Sequence, residues 1–484
     1  MQGLRQPHES TLSETAETNY DRDFSAPQRF APALVVLWSH DEPERVGEVV
    51  VLPPTARGMS FTLGRAVESY EDGSLPLTLR RLRPFSSEDR GPFQSARVSR
   101  WQIRITVEQG DELAIEGIGK GELRINDQPT RGAAVVPGDT IEAVGRFVLQ
   151  ATRRPLDWPR PGGWPDPFPF GAADRFGLVG ESPAAWLLRQ QILFLAQRDG
   201  HVLVEGPSGA GKELVVRALH AASARGARPL IARNAATIPE RLSDAELFGN
   251  LKDYPSPGTP DRSGLFGDAD RSSLFLDEIG ELSETLQASL LRVMDSGEYQ
   301  RLGDSSMRAT DVRILAATNR QPGELKHDFL ARFLHRVRVP GFGERPEDVV
   351  LVARHLLRGF AARDSTLAER FFVNGEPALG ARLVVALARH RFTAHTRELT
   401  ELLWRAVATS SGSLLDLPAD FVARPTTPAP APASSDSTDP RELSREQIVA
   451  ALARVGGVRD RAWRELGLRS RDQLKRLLKK HDIT

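Results

Sequence analysis

Short apolar runs of strand character fill residues 31–153. They are ALVVLW, EVVVLP, SFTLGR, RVSRWQIRITV, ELAIEGI, GELRIND and RFVLQAT, and Gly, Pro and Asp residues separate them. Many short strands with turn residues between them are typical of a sandwich of two β-sheets. The pattern therefore predicts an all-β sandwich for this part of the chain.

Residues 173–345 alternate between apolar strand candidates and helical stretches. The strand candidates are HVLVEG, PLIARN, SLFLDE, VRILAATN and RVRVPG. Such alternation is typical of an α/β domain with a doubly wound sheet. From 346 to 415 the apolar spacing is helical, in EDVVLVARHLLRGFAA, ALGARLVVALARH and TRELTELLWRAVATS. We therefore expect an all-helical lid after the sheet.

Two proline-rich segments separate the predicted folded blocks. PLDWPRPGGWPDPFPFG lies within residues 154–172, and PTTPAPAPASSDSTDP lies within residues 416–440. Sequences of this kind are predicted to be semi-extended linkers because they form neither a strand ladder nor a packed helix. Residues 1–30 are polar and are predicted to be disordered. A last, small folded block is expected at residues 441–484.

The composition narrows the classes of function. The chain has 484 residues, of which 40% are hydrophobic and 26% are charged, and it contains no Cys. The lack of Cys excludes disulfides, thiolate metal sites and cysteine nucleophiles, and it suits a reducing compartment. No stretch approaches the roughly 20 apolar residues that a membrane span needs. We expect a cytoplasmic protein with no membrane partner.

The net charge of zero conceals two segments of opposite sign. Residues 441–484 carry twelve Lys and Arg against six Asp and Glu, a net charge of +6, and residues 1–440 carry −6. A cationic unit at one end of an anionic chain suggests a nucleic-acid-binding end. The alternative is a solvated, arginine-rich helix surface.

A glycine-rich turn between a strand and a helix is the main candidate for chemistry. It consists of Gly206, Pro207, Ser208, Gly209, Ala210, Gly211, Lys212 and Glu213. The glycines let backbone N–H groups point at phosphates, and Lys212 can reach the β- and γ-phosphates of ATP. Glu213 stands where the usual motif has Ser or Thr.

The strand SLFLDE adds an acidic pair at its carboxyl end. Asp277 can hold Mg²⁺ through water, and Glu278 can orient or deprotonate an attacking water. In isolation this pair could equally cap the next helix. Together with the glycine-rich turn it predicts a site for ATP and Mg²⁺.

These motifs resemble the AAA+ module of sigma-54-dependent transcription activators. The matching segments are GPSGAGKE, AATIPERLSDAELFG, SLFLDEIGEL, LLRVMDSGEYQRLG and VRILAATNR, in this order. In that family Glu after the P-loop Lys is usual. The resemblance implies that Asn234 switches the catalytic Glu278, that Asn319 with Thr318 forms sensor I, and that Arg397 is the sensor II arginine.

The same resemblance implies a ring of identical subunits, with arginine fingers that complete the neighbouring subunit's site. The positions that match the two fingers are Lys326 and Arg332. Lys lacks the planar fork with which Arg grips a phosphate, so the first exchange is not conservative. We therefore expect ATP hydrolysis, at a reduced rate. The alternative is that Arg332 only faces solvent.

The loop that contacts sigma-54 in this family carries the motif GAFTGA, and this chain departs from it. The corresponding residues 253–258 read DYPSPG, so Pro255 and Ser256 replace the contact Phe and Thr. Two prolines restrict the backbone and remove two N–H donors. Three outcomes remain open: an altered loop that still engages sigma-54 RNA polymerase through Tyr254, a DNA regulator independent of sigma-54, and a loop that binds another partner.

The N-terminal runs resemble, in order, the Forkhead-associated (FHA) domain, a β-sandwich that binds phosphothreonine proteins. Arg65, Ser99 and Arg100 occupy positions that the resemblance assigns to phosphopeptide binding. Gln102 stands where the family has His, and the usual Asn-Gly-Thr loop is replaced around residues 121–123. The stretch between Arg65 and Ser99 is long for the family. The alternative is a sandwich kept for protein contact, with Arg65 in a structural ion pair.

Residues 441–484 have the apolar spacing of three short helices and resemble the Fis-type helix-turn-helix domain. The third helix would enter the major groove of DNA. The candidate DNA contacts are Arg469, Ser470, Arg471, Gln473 and Lys475. If six phosphates are neutralised, the slope of log K against log salt should be about −5. A salt-independent interaction would favour a helical hairpin that binds protein.

The sequence thus predicts a bacterial transcription regulator with three kinds of domain: an FHA-like all-β sandwich, an α/β AAA+ P-loop domain with a helical lid, and an all-α helix-turn-helix. The alternative is a scaffold in which nucleotide binding controls only oligomerisation.

Overall fold

The computed structural model describes residues 29–424 except 85, 109–111, 159–166, 240–241, 321–323, 325–326 and 423. It also describes residues 474, 475 and 478 near the C-terminus. The chain divides into two compact units, residues 1–425 and 426–484. No helix among the described residues is both long and apolar enough to cross a membrane.

The N-terminal part is all-β, as the sequence predicts. Its strands are β1 (Phe30–Ser39), β2 (Val49–Val51), β3 (Ser60–Gly64), β4 (Leu75–Pro76), β5 (Leu79–Arg83), β6 (Ser86–Gly91), β7 (Trp101–Val107), β8 (Leu113–Gly117), β9 (Leu123–Ile125), β10 (Gln128–Thr130), β11 (Gly132–Val135), β12 (Thr140–Ala143) and β13 (Phe147–Pro155). One sheet has the order β10-β9-β12-β13-β1-β2-β5-β6 and the other β11-β8-β7-β3-β4. Apolar side chains of both sheets form one buried core.

The long stretch between Arg65 and Ser99 contains the hairpin β5–β6, which the apolar pattern did not predict. The hairpin extends the larger sheet by pairing with β2. Its residues LRRLR and SSEDRG are mostly charged, so they show no apolar alternation. Arg81 donates from Nε to Oε1 of the buried Glu48 at 3.1 Å. Ion pairs thus replace apolar contacts along part of this edge.

The central domain contains the five predicted strands in one parallel sheet. They are β14 (Val202–Glu205), β15 (Ile231–Asn234), β16 (Ser273–Asp277), β19 (Arg313–Thr318) and β20 (His335–Arg338), in the order β15-β16-β19-β14-β20. A small hairpin, β17 (Glu298–Tyr299) with β18 (Arg308–Ala309), lies between β16 and β19 along the chain. The helices are α1 (Pro183–Ala196), α2 (Lys212–Ala221), α3 (Ser243–Phe248), α4 (Gly264–Asp268), α5 (Glu284–Ser296) and α6 (His327–Leu330).

The lid is mainly helical, as predicted. It contains α7 (Val349–Ala361), α8 (Ser365–Phe371), the hairpin β21 (Phe372–Val373) with β22 (Glu376–Pro377), α9 (Ala381–Arg389) and α10 (His395–Thr409). The apolar faces of α7, α9 and α10 share one buried core. The three long helices coincide with the three helical runs of the sequence.

The sandwich shares the hydrophobic core of the lid. Along β1, Leu34 and Val36 belong to the sandwich core, whereas Val35 and Leu37 belong to the core that α7 and α9 form. Side chains alternate between the two faces of a strand, so both faces of β1 are buried. Trp38 Nε1 also donates to Leu379 O at 2.7 Å. The sandwich and the lid therefore pack directly against each other.

The second half of the first proline-rich segment is packed against the protein and is not a spacer. Arg83 donates to Phe168 O at 2.9 Å and its guanidinium lies over the Phe168 ring, with Cζ 4.3 Å from the ring centroid. Gly171 N donates to Oε1 of Glu181 at 2.8 Å, and Arg83 also contacts this carboxylate. The proline content gave no sign of these contacts.

In the second unit, Leu474, Lys475 and Leu478 have helical backbone, and Leu474 and Leu478 are buried. Lys475 is exposed. The other predicted DNA contacts, Arg469, Ser470, Arg471 and Gln473, lie outside the described residues, as does Lys326.

Candidate active site

The first strand of the parallel sheet leads directly into the predicted phosphate-binding turn. β14 ends one residue before Gly206, and α2 begins at Lys212. Gly206, Gly209 and Gly211 have φ angles of +156°, +75° and +100°. Glycine reaches such angles readily because it has no Cβ. The turn can therefore direct backbone N–H groups toward an anion at the N-terminus of α2.

Lys212 is nearly buried beneath this turn. Its Nζ donates to Gly206 O at 2.9 Å and to Pro207 O at 3.3 Å. Burial lowers the pKa of the Lys212 ammonium, while the nearby carboxylates of Glu278 and Asp277 act in the opposite direction. The cation is thus held at the turn, within electrostatic range of both acidic residues.

The acidic pair lies where the carboxyl ends of neighbouring strands meet. Asn234, at the end of β15, is the register partner of Asp277, at the end of β16. The next residue, Glu278, has a φ angle of +51° and donates from its backbone N to Asp277 Oδ1 at 3.0 Å. A non-glycine residue in this left-handed region is unusual, and such residues cluster at functional sites.

The sensor candidates follow from the same sheet edge. Thr318, the last residue of β19, pairs in register with Glu205 at the end of β14, so Asn319 follows at the same edge. Asn319 is exposed. Thr318 Oγ1 accepts a hydrogen bond from Arg320 N at 3.1 Å. The Asn234 side chain accepts from Ala236 N at 2.9 Å, so its amide is oriented by the short turn that follows β15.

The lid reaches the turn through the start of α10. Arg397 Nη1 donates to Ser208 Oγ at 3.1 Å, and Thr396 N donates to Gly209 O at 3.2 Å. A Cβ at Gly209 would lie 2.2 Å from Ala394 O, so a side chain at this position would clash with the lid. The predicted sensor II residue is therefore at the predicted phosphate-binding turn.

Two predicted residues have partners away from this turn. Arg332 forms an ion pair with Asp295 of α5, with 2.6 Å between Nε and Oδ1, and both side chains are about half exposed. Glu213 is exposed and pairs with Arg217 one helical turn later, at 2.7 Å. The structure of one chain thus places Arg332 on the surface, where a contact with a neighbouring subunit is sterically open.

Arg345 is a site-supporting residue that the sequence analysis missed. This buried side chain donates to Val179 O at 3.3 Å and to Ala210 O at 3.5 Å. It thereby connects the segment before α1 to the phosphate-binding turn. The residue belongs to GERPED, which has neither an apolar period nor a phosphate-binding spacing. The segment that follows β20 carries it to Val179 and Ala210, which are far from it in the sequence.

The arrangement fits a nucleoside triphosphate with a divalent cation. The glycine N–H groups and Lys212 present positive potential, and the carboxylates of Glu278 and Asp277 interact electrostatically with Lys212. Among the described residues no three His, Asp or Glu side chains are grouped as a complete metal site. Proteins usually hold Mg²⁺ through one or two carboxylates together with the phosphates of the substrate, and Asp277 and Glu278 offer two carboxylates here.

The loop at residues 253–258 forms a closed turn. Asp253 Oδ1 accepts from Gly258 N at 2.7 Å, and Asp253 N donates to Thr259 O at 2.8 Å. The ring of Tyr254 packs on Gly303 in the segment between β17 and β18, because a Cβ at Gly303 would lie 2.7 Å from it. Tyr254 nevertheless remains 44% exposed. The loop therefore presents this aromatic side chain from a folded base.

In the sandwich, the candidate phosphopeptide residues lie on adjoining loops. Arg65 follows β3, is exposed, and donates from Nε to Val98 O at 3.1 Å. It has no carboxylate partner among the residues that the structure describes. Arg100, in contrast, is paired with Glu68 and lies over the Trp101 ring.

Gln102 connects the loops around Ser99. Ser99 N donates to Gln102 Oε1 at 3.0 Å, and Gln102 Nε2 donates to Lys120 O at 3.0 Å. Lys120 N in turn donates to Ser99 Oγ at 3.0 Å, which leaves the hydroxyl proton of Ser99 available to an acceptor. Gln102 thus holds these loops together.

Comparisons with known proteins identify the central domain. A family model described as the Sigma-54 interaction domain matches residues 178–340. The transcriptional regulatory protein ZraR of Escherichia coli (strain K12) is 35% identical over 316 residues, which are 64% of this chain and 70% of ZraR. The anaerobic nitric oxide reductase transcription regulator NorR of Escherichia coli (strain SMS-3-5 / SECEC) is 39% identical over 278 residues, 55% of this chain and 54% of NorR.

Among solved structures, NtrX from Brucella abortus in complex with ADP matches with 27% identity and a TM-score of 0.43, over 64% of this chain and 69% of NtrX. The sequence relatives and the matched domain, together with the parallel sheet, the glycine turn and the lid, agree with the resemblance drawn from the motifs. The chain belongs to the sigma-54-dependent transcriptional activators, an AAA+ family whose central domain binds and hydrolyses ATP.

Proposed function

We propose that this protein is a DNA-binding transcription regulator in which an FHA-like sandwich that binds phosphothreonine proteins is coupled to an AAA+ ATPase ring. The observation that carries the ATPase part is the convergence of Lys212, the pair Asp277 and Glu278, and Arg397 at one glycine turn. The DNA-binding part rests on the cationic sequence of residues 441–484, and its test is the salt dependence given above.

Each residue has a role that its position allows. The glycine N–H groups and Lys212 bind the β- and γ-phosphates, and Arg397 completes this cradle from the lid. Asp277 would hold Mg²⁺ through water, and the bound ion would supply neutralisation of the charge that develops on the phosphates. Glu278 orients and deprotonates the attacking water, and Asn234, next to Asp277 in register, controls the orientation of Glu278.

Arg332 acts on the neighbouring subunit in this proposal. Its ion pair with Asp295 is half exposed and therefore contributes little to stability. The pair can open when a neighbour presents a phosphate, to which Arg binds at two points. A homo-oligomeric ring is thus needed for full activity, because the site within one chain lacks this cation.

We further propose that Tyr254 contacts sigma-54 in place of the family's Phe. Tyr254 is an exposed aromatic residue of the loop, and its packing on Gly303 connects it to the segment between β17 and β18. The closed, proline-containing turn also keeps a second candidate function open, a regulator that works without sigma-54.

The sigma-54 proposal predicts complex formation that depends on Tyr254. The full chain with ADP and aluminium fluoride should co-elute with sigma-54, and Tyr254→Ala should weaken the complex by roughly tenfold or more, as expected for an aromatic anchor. Val373→Ala removes an apolar side chain of the lid that is 61% exposed, and it should leave the complex unchanged. Failure of the unmodified chain to form any complex would favour the sigma-54-independent regulator.

The phosphothreonine proposal rests on two donors: the guanidinium of Arg65, which has no carboxylate partner among the described residues, and the hydroxyl of Ser99. A phosphate dianion takes charge-assisted hydrogen bonds from such donors. Arg100 would bind the phosphate as well only if its ion pair with Glu68 opens. Gln102 maintains the spacing of the loops but carries no charge.

Removal of Arg65 should reduce binding of phosphothreonine peptides by about 10- to 100-fold, the value of one or two charge-assisted hydrogen bonds. The binding can be measured by fluorescence anisotropy against a library of phosphorylated and unphosphorylated peptides. Arg57→Ala is the matched control, since Arg57 is an exposed arginine before the opposite end of β3. Equal affinities of Arg65→Ala and the unmodified chain would instead support a sandwich kept for protein contact.

A further inference from the structure

The residue at the start of α10 has an unusual environment. His395 is buried, with 7% of its surface exposed, and its φ angle is +46°. Its Nδ1 accepts a hydrogen bond from Phe342 N at 3.1 Å, and the ring stands edge-on to the Phe342 ring, with 5.7 Å between the centroids. A non-glycine residue keeps a left-handed conformation only where its surroundings impose it.

The ring of His395 also fills the space beside the chain that connects β20 to the lid. A Cβ at Gly341 would lie 2.6 Å from Cε1 of His395 and 3.2 Å from Cγ of Pro207. Gly341 therefore lies between the histidine of the lid and the second residue of the phosphate-binding turn. Only a residue without a side chain allows these three parts to approach so closely.

The next two residues after His395 contact the turn itself. Thr396 N donates to Gly209 O, and Arg397 Nη1 donates to Ser208 Oγ. Because three consecutive residues make these contacts, a rotation at His395 would displace both Thr396 and Arg397. The position of the arginine thus depends on how the start of α10 is held.

We propose that His395 is a positioning residue for ATP binding: its hydrogen bond to Phe342 N holds the start of α10 against the connection after β20, and so places Arg397 at the phosphates. This inference rests on the proposed role of Arg397. In this proposal the hydrogen bond to Phe342 N anchors the lid, and this anchor does not depend on the contacts that Arg397 makes with the nucleotide.

The protonation state of the ring agrees with this role. Burial lowers the pKa of His395, and the nearby guanidinium of Arg345 lowers it further. The ring is therefore neutral near neutral pH, and Nδ1 is free to accept the hydrogen bond. Glu398 of the same helix accepts from Thr393 N and Ala394 N, which fixes the chain just before His395.

Two substitutions distinguish the effect of the left-handed backbone conformation at His395 from the effect of its hydrogen bond to Phe342 N. His395→Gly permits the left-handed conformation but has no acceptor, whereas His395→Asn tolerates that conformation and offers an amide oxygen. In the full chain, His395→Gly should raise the KM for ATP about five- to tenfold with kcat within twofold, the effect of one hydrogen bond. His395→Asn should restore KM to within about twofold.

A double substitution with Arg397 tests whether His395 acts through the arginine. In an Arg397→Ala background, His395→Gly should change KM by less than about twofold, since residues that act as one unit give non-additive effects. Additive effects, or an unchanged KM in His395→Gly, would overturn the inference. An elevated KM in His395→Asn at an unchanged unfolding temperature would overturn it as well.

The same series distinguishes this inference from the proposed function. If Arg397→Ala alone leaves KM unchanged, the proposed role of Arg397 fails. If Arg397→Ala raises KM but His395→Gly does not, only the positioning role fails. Unfolding temperatures of all variants show whether a loss of stability, and not a displaced arginine, accounts for a change.

Discussion

Replacing Lys212 with Ala is expected to remove saturable ATP binding and, with it, ATP turnover. Lys212 is the cation of the glycine turn, and two charge-assisted hydrogen bonds to the phosphates correspond to a loss of affinity of about 100-fold or more. Titration of the full chain with a fluorescent ATP analogue and magnesium measures the binding. Saturable uptake by Lys212→Ala with unchanged affinity would contradict the assignment of the phosphate-binding turn.

Glu278→Gln should separate binding from chemistry in the same assay. The substitution keeps the size of the side chain but removes the base that activates water, so turnover should fall about 10²- to 10⁴-fold while nucleotide affinity stays within a few-fold. Glu369→Gln, at an exposed position of α8, is the control and should have no effect. Equal phosphate release by the unmodified chain, Lys212→Ala and Glu278→Gln would favour the scaffold, in which nucleotide controls only oligomerisation.

The phosphate-binding turn was predictable because its chemistry is local. Its glycines, its lysine and the following helix are consecutive in the sequence, so the motif and the backbone geometry coincide. The acidic pair also follows from a local pattern, an apolar strand that ends in two carboxylates. Arg345 and His395 were not predicted, because their function depends on which chain segments the sheet and the lid bring together.

The sequence also predicted the sandwich only in part. Its strands were predicted where apolar residues alternate or cluster, but ALVVLW in β1 gave no indication that its two faces belong to different cores. A run of apolar residues is compatible with burial on both faces, yet it does not name the second partner. The hairpin β5–β6 was missed for the opposite reason, since its charged residues are held by ion pairs such as Arg81 with Glu48.

The contact between sandwich and lid changes how the ATPase should be studied. A fragment that begins at residue 173 would expose the apolar side chains of α7 and α9 that Val35 and Leu37 cover. Exposed apolar area of this kind promotes aggregation. A low turnover of such a fragment could therefore result from its lower stability and not from a defect in catalysis. ATPase activity should be measured on the full chain.

Substitution of a buried ion pair between the sandwich and the lid should reduce the stability of the protein more than most other substitutions. Arg154, at the end of β13, donates from Nη1 to both carboxylate oxygens of Glu347, at 3.1 and 3.0 Å, and the side chains are 2% and 6% exposed. Glu347 lies in the short 3-10 helix directly before α7. The pair therefore connects the last strand of the sandwich to the first helix of the lid.

Arg154→Met should destabilise the protein by about 3–5 kcal/mol, because it leaves a buried carboxylate without its partner. Thermal unfolding of the full chain should show a decrease of roughly 5–15 °C in the transition of this part. Removal of both charges in Arg154→Met with Glu347→Leu should recover much of the loss. Arg217→Met, which breaks an exposed pair with Glu213, is the control and should cost at most about 0.5 kcal/mol.

The pH dependence of Arg154→Met follows from the state of the carboxyl group. Burial raises the pKa of Glu347, and Arg154 opposes this rise. Without Arg154 the folded-state pKa moves further above the unfolded value, so ionised Glu347 destabilises the fold at high pH and its protonation relieves the cost as the pH falls. The difference in unfolding temperature between Arg154→Met and the unmodified chain should thus be larger at pH 8 than at pH 5. If there is no difference at either pH, this ion pair does not hold the sandwich and the lid together.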